Sequence, residues 1–337
     1  MEHLPAELLV AIALVACRDG GFTGSSLSLV SRRIRDATHP ARFHSVSLAW
    51  CPDRLHKFLE TYGRQLSRFP NACPRVKHLF LSLFPAEGNS QVSPMPPLPD
   101  YRMFYTYDKY LASLERQSAT HWPSVCEFIR TVAPDLETFA FVRGEWTDIA
   151  VTRCAFPRLR ELTLVDSCPG FLHVENTPLD HGPLFPALER LHSVEFFYAP
   201  PVDFQRWALH APALTHLRCS GIHHHNSPTA ISLQATVDNA VDDAVFFPHL
   251  QHVLAQPMSS KCHPAYPWNG QRILREHLQF CSQNARPGVQ FDVVDWKQNP
   301  GSSPLETAPM KCVRRAKELW LERIEGGEGC WSESYAF

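Results

Sequence analysis

The sequence predicts an α/β chain: a short N-terminal helical unit, then an irregular array of repeats whose strands form a parallel sheet. Three observations predict it. Two apolar stripes at helical spacing occupy the first forty residues. A motif of an aromatic, Ala or Cys, then Pro, any residue, and apolar-x-x-apolar-x-apolar recurs six times between residues 73 and 255, with the third apolar position blurred in the copy at Leu188 and Leu191. Proline is the compositional outlier, with 29 in 337 residues against an average usage of ~5%, and six of these prolines stand at the head of the repeated motif.

The bulk composition narrows the function classes. With 44% hydrophobic and 20% charged residues the chain can bury a large core. Lys+Arg 32 against Asp+Glu 34 gives a formal net charge of -2, which argues against a nucleic-acid binder. No run approaches the ~18 apolar residues of a membrane span. The stretch Leu8 to Ala16 is too short for one and carries Glu7 where a signal peptide wants basic charge, so an intracellular protein away from the membrane is expected. The eleven cysteines include no C-x-x-C pair and read as reduced, mostly buried thiols.

Pro5 suits the first turn of a helix, and Leu8, Leu9, Ile12, Val15 and Ala16 follow as one stripe ended by Asp19-Gly20-Gly21. A second stripe, Leu27, Val30, Ile34 and Ala37, is expected to start after Ser25-Ser26 as N-caps, with Arg32, Arg33 and Arg35 on or beside its polar face. Forty residues can scarcely cover both stripes, so part of this apolar surface needs a partner. The segment resembles an F-box, on Leu4, Pro5, Glu7, Leu8, Leu9, Ile12, Leu27, Leu29, Val30, Ser31, Arg32 and Ile34 in order and spacing. The Gly-rich joint at Asp19 to Gly24 is longer than the usual connection and is similar to F-box proteins of mushroom-forming fungi. The resemblance covers roughly the first 45 residues and implies binding to the adaptor subunit of a cullin–RING ubiquitin ligase. It implies as adaptor-binding residues Leu4, Pro5, Leu8, Leu9, Ile12, Leu29, Val30, Arg32 and Ile34.

The repeats begin at Cys73-Pro74, Ala133-Pro134, Phe156-Pro157, Phe185-Pro186, Ala211-Pro212 and Phe247-Pro248. In the third, Leu159, Leu162 and Leu164 give the L-x-x-L-x-L opening of a leucine-rich repeat. Each strand is too short to bury its own face, and stacking the units supplies one continuous core. The proline precedes the strand, where its missing N–H costs no ladder bond. The Asn or Cys that regular repeats carry eight residues after the first Leu is replaced by Phe84, Gly144, Ser167, Phe196, Ile222 and Met258, which predicts irregular turns without an asparagine ladder.

Helices are expected beside the strands. Asp53 leads into Leu55, Phe58, Leu59, Tyr62 and Leu66; Ser124-x-x-Glu127 reads as a capping box for Val125, Phe128, Ile129 and Val132; Asp203 precedes Phe204, Trp207 and Leu209. Gly288 to Val294 reads as a final strand after a helix around Ile273, Leu274, Leu278 and Cys281. Val313, Ala316, Trp320 and Ile324 mark a last helix, followed by Gly326 to Trp331, which reads as a cap closing the sheet edge. The domain expectation is a helical F-box at 1–48, a connecting helix at 49–72, a leucine-rich-repeat-like solenoid at 73–296 with an insertion at 85–123, and a linker and cap at 297–337.

Motifs for chemistry are sparse. His223-His224-His225 cannot all face one ion, and Cys262-His263 are adjacent in the chain, which rarely gives catalytic geometry. Neither Gly-rich segment has the context of a P-loop or a Rossmann turn, and G-x-S-x-G and H-E-x-x-H are missing. No catalytic residue, cofactor site or metal site is therefore assigned. The resemblance implies instead a non-catalytic receptor that joins the adaptor, and through it a cullin, to a target protein held by the repeats. Candidate target contacts are Tyr101, Tyr105, Tyr107, Trp146 and Phe197. The alternatives are an F-box scaffold outside a ligase and a thiol-dependent enzyme.

Overall fold

The computed structural model describes residues 4–50, 52–68, 75–85, 123–142, 154–165, 182–195, 202–238, 246–258, 268–295 and 308–332. The chain divides into two compact units, Met1–Val132 with Val142–Thr152, and Ala133–Phe141 with Arg153–Phe337. It is mixed α/β, and its strands follow one another in chain order.

The first unit opens with three helices, α1 (Ala6–Ala16), α2 (Phe22–Val30) and α3 (Arg32–Thr38). Pro5 sits one residue before α1 as its N-cap, and its carbonyl accepts from Leu9 N–H at 3.2 Å. Two expectations are corrected between α1 and α3. Helix α2 starts at Phe22 and not after Ser26, because Asp19 caps it from the turn: its carboxylate accepts from Gly21 N–H at 3.2 Å, Thr23 N–H at 2.8 Å and the Thr23 hydroxyl at 2.6 Å. Gly21, at φ 104°, supplies the left-handed backbone that this early start requires. The stripe from Leu27 to Ala37 is also split, since Ser31 leaves helical geometry (φ -160°) and its hydroxyl accepts from Ile34 N–H to start α3.

Strand β1 (Ser45–Trp50) stands where the sequence reading placed the end of the helical unit and the start of a connecting helix. It pairs in parallel with β2 (His78–Pro85), Val46 beside Leu79 and Leu48 beside Leu81. The Ser45 hydroxyl donates to Cys17 O at 2.6 Å and accepts from Gly20 N–H at 3.0 Å, which ties the end of α1 to this strand. Helix α4 (Pro52–Arg68) docks as expected, with Leu55 and Tyr62 buried. Phe58 and Tyr62 meet Phe43 and Phe128 edge to face at 5.3–6.4 Å, Phe128 coming from α5 (residues 123–132). Helix α5 begins at residue 123, so Ser124 lies inside its first turn and not before it.

The second unit carries β3 (Thr138–Val142) up to Phe141, and β4 (Glu161–Val165), β5 (Arg190–Val194), β6 (His216–Ile222), β7 (His252–Pro257) and β8 (Gln290–Val293). Strands β2 to β7 each open four residues after the proline of their repeat, from Pro74 before His78 to Pro248 before His252. The pairs from β4 to β8 are parallel, with Leu162, Leu191, Leu217, Val253 and Phe291 in one register row. Leu159, Leu162, Leu188, Leu191, Leu214, Leu217 and Val253 are all 0–1% exposed, so the repeated apolar positions are the core.

The turn device differs from an asparagine ladder in a definable way. In four repeats the carbonyl before the proline accepts from the N–H of the first Leu: Phe156 to Leu159, Phe185 to Leu188, Ala211 to Leu214 and Phe247 to Leu250, at 3.2–3.3 Å. Proline at the second turn position fixes φ and loses no bond. The rings of Phe139, Phe156, Phe185 and Trp207 then stack at 5.2–6.2 Å, so aromatic faces fill the space under the turns. At the strand entries one carbonyl accepts two successive N–H groups of the next repeat, as Arg160 O does from Glu189 and Arg190.

Helices α6 (Phe204–His210), α7 (Pro228–Val237), α8 (Trp268–Gln283) and α9 (Ala308–Glu325) complete the described elements of this unit. Asp203 caps α6 as expected, accepting from Arg206 N–H at 3.1 Å. The sequence reading missed α7, whose signal is Ser227 as N-cap with Pro228 at the first position. The C-terminal segment does not close the sheet edge at β8. It lies on the face of β4 to β6, where Glu161, Arg190, His192, His216 and Arg218 need polar or aromatic partners that Arg323, Trp331 and the Cys330 carbonyl supply.

Candidate functional site

The N-terminal helices pack through small side chains. Ala13, Cys17 and Ala41 form the centre, with Leu14 and Leu27 against them. Gly24 is buried where a Cβ would stand 2.5 Å from Arg42 O, so only glycine allows that approach. Several larger apolar residues of α1 and α2 stay outside this core.

Those residues face outward. Leu8 is 51% exposed, Ile12 55% and Val15 66%, three positions at i, i+4 and i+7 on one side of α1. On α2, Phe22 is 76% exposed, Leu29 80% and Val30 64%. Single exposed apolar residues are ordinary, but six within 23 residues on a small helical unit are more than chance exposure accounts for.

Of the residues implied as adaptor contacts, Pro5, Leu8, Ile12, Leu29, Val30 and Arg32 are exposed, while Leu4 and Ile34 are half-buried. Leu9 differs from the others: at 6% exposed it is buried within the unit. Val15 and Phe22 extend the exposed surface beyond the implied set. Val15 was visible as the next turn of the Leu8 stripe, whereas Phe22 has no periodic signal.

The arginine cluster is partly structural. Arg33 Nη2 donates to Leu4 O and Arg35 Nε to Ser28 O, each at 2.7 Å, so both hold helix ends. Arg42 lies 5.2 Å over the Phe43 ring; burial first, and then Arg35, lowers its pKa. Arg32 is exposed beside Leu29 and Val30 in the chain.

The target-contact candidates Tyr101, Tyr105, Tyr107, Trp146 and Phe197 lie outside the described residues, as do Cys262 and His263. Cys17, Cys219, Cys281 and Cys330 are buried free thiols. Burial, with Asp19 nearby, pushes Cys17 up to about 11; burial and Asp238 push Cys281 up to about 11; burial and Glu161 push Cys330 up to about 12. Burial also raises Cys219 well above the ordinary thiol range. Cys281 Sγ is 3.9 Å from His277 Nε2, yet burial lowers that imidazole's pKa, so the pair is neutral thiol and neutral ring rather than thiolate and imidazolium. Among the described residues no group of three or more His, Cys, Asp or Glu is placed to hold a metal ion, and no helix is long and apolar enough to cross a membrane. No family model, no curated protein and no solved structure matches this chain.

Proposed function

We propose that this protein is the substrate receptor of an SCF-type cullin–RING ubiquitin ligase, its N-terminal helices binding the adaptor and its repeat strands and loops binding a target. One observation carries the reading: Leu8, Ile12, Leu29 and Val30, which match F-box positions in the sequence, are four of the six large apolar side chains that the helical unit leaves in solvent. Such residues supply the anchors of a protein interface, and polar neighbours such as Arg32 supply its rim. A receptor needs no nucleophile or metal of its own. It holds a target lysine near a ubiquitin-charged conjugating enzyme and converts an encounter between free molecules into a reaction at high effective concentration.

Co-purification with the adaptor tests the reading, comparing wild type with a Leu4→Ala/Pro5→Ala double variant whose fold is checked by circular dichroism. Binding by wild type and loss in the folded variant support it. No binding by folded wild type overturns it. Adaptor binding without cullin recruitment would leave a scaffold outside a ligase.

A further inference from the structure

Each strand of the second unit presents two faces, and they differ in kind. Leu162, Leu191, Leu217 and Val253 point into the apolar core with the stacked Phe156, Phe185 and Trp207. The alternate positions carry Glu161, Thr163 and the buried Val165 on β4, Arg190, His192 and the buried Val194 on β5, and His216, Arg218 and Ser220 on β6. Residues 308–332 lie over this second face. Arg323 Nε donates to Glu161 Oε2 at 2.8 Å and Trp331 Nε1 to Glu161 Oε1 at 3.1 Å. Arg218 Nη1 donates to the carbonyls of Cys330 and Ser332. The Trp331 ring takes Arg190 on its face at 6.0 Å and meets His192 and His216 at 6.5 and 5.8 Å.

Three features make this segment unlike the rest of the core. It is joined to the repeats by a Pro/Ser/Gly-rich stretch at 297–307. The strand face under it carries ionic and imidazole side chains, which water solvates once the cover leaves, whereas the Leu rows on the other face have no such alternative. A small crevice lined by Thr138, Glu161, Thr163, His192, Leu319 and Trp320, with room for about one water molecule, also remains between α9 and the strands.

We propose that residues 308–332 are a displaceable strap over a protein-recognition face on β4 to β6, and that the partner admitted there presents the strap's own chemistry. That partner is a protein segment with a guanidinium and an indole N–H for Glu161, a ring for Arg190 and main-chain carbonyls for Arg218. The inference rests on the reading that the repeats hold a target, but its test does not involve the adaptor, so the two can fail separately.

The first arm is native-state hydrogen exchange on the full chain. Amides of α9 are expected to exchange at least tenfold faster than those of β4 to β6, through an opening that leaves the strands protected. Exchange of α9 only together with the strands would make the segment an integral cap and overturn the proposal. The second arm adds a labelled synthetic peptide of residues 308–332 to wild type and to an Arg323→Ala/Trp331→Ala variant shown to be folded by circular dichroism. At least tenfold tighter peptide binding by the variant is expected, because its own strap competes less well. Equal or absent binding to both overturns the proposal.

Discussion

Arg323 Nε meets Glu161 Oε2 at 2.8 Å although 162 residues of chain separate them. Trp331 occupies the other carboxylate oxygen, and Arg190 lies 3.7 Å from the same carboxylate. The Glu161 side chain is only 10% exposed, so these partners meet it in a poorly hydrated place where a missing partner is costly.

Glu161→Ala should therefore weaken docking of the C-terminal segment by about 1–3 kcal/mol, since Arg323 and the Trp331 N–H lose a common acceptor. Hydrogen exchange in α9 is the measurement, and it should accelerate while the β5 and β6 amides change little. Unchanged α9 exchange would show that the carboxylate contributes nothing to docking.

Adjacent leucines should behave in opposite ways. Leu8→Asp places a charge at a half-exposed position, so thermal stability should move by no more than about 0.5 kcal/mol while adaptor binding is abolished. Leu9→Ala removes a buried side chain and should cost about 2–5 kcal/mol. Thermal melts and adaptor pull-downs on both variants separate surface from core, and adaptor affinity retained by folded Leu8→Asp would sink the assignment of α1 as the docking helix.

Gly24→Ala should destabilise the N-terminal unit by about 1–3 kcal/mol, because the added methyl meets the Arg42 carbonyl, a backbone atom that cannot swing aside. Urea denaturation reads the effect. Gly63→Ala is the control, since nothing lies within 4 Å of a Cβ built there.

Stability should fall with acid below about pH 6.5. His192 is 0% exposed and hydrogen-bonded to Ser220 Oγ at 3.0 Å; burial first, then Arg218, holds its pKa well below the ordinary 6.5. Burial lowers His210, His216 and His277 in the same direction. Their contribution is complete above the unfolded value of 6.5 and is lost as pH falls toward the folded values, because the unfolded chain then binds protons that the folded chain refuses. Urea midpoints should drop from pH 7.5 to pH 5.5, and His192→Gln should flatten that dependence. A midpoint that rises on acidification would contradict the sign.

Native alkylation at pH 7.5 should leave Cys17, Cys219, Cys281 and Cys330 unmodified while Cys154, which is half-buried, reacts first among the seven described cysteines. Residue-level mass spectrometry checks this. Rapid, selective alkylation of Cys281 would revive a thiol-dependent chemistry beside His277.

The sequence by itself determined where the repeat strands begin, because one proline per unit sets the turn and the apolar-x-x-apolar-x-apolar spacing sets the buried row. It also determined the last strand near Phe291, the apolar faces of α8 and α9, and the presence of short helices at the start. Tertiary structure decided what periodicity leaves open. Helix α1 is apolar nearly all round, so only its packing in the folded unit buries Leu9 and leaves Leu8 and Ile12 outside. The start of α2 depends on Asp19 reaching past two glycines, and β1 exists because β2, some thirty residues on, offers it a ladder. The place of the C-terminal segment depends on Glu161 and Arg218 finding partners far along the chain, and no local pattern encodes a contact between residues 161 and 323.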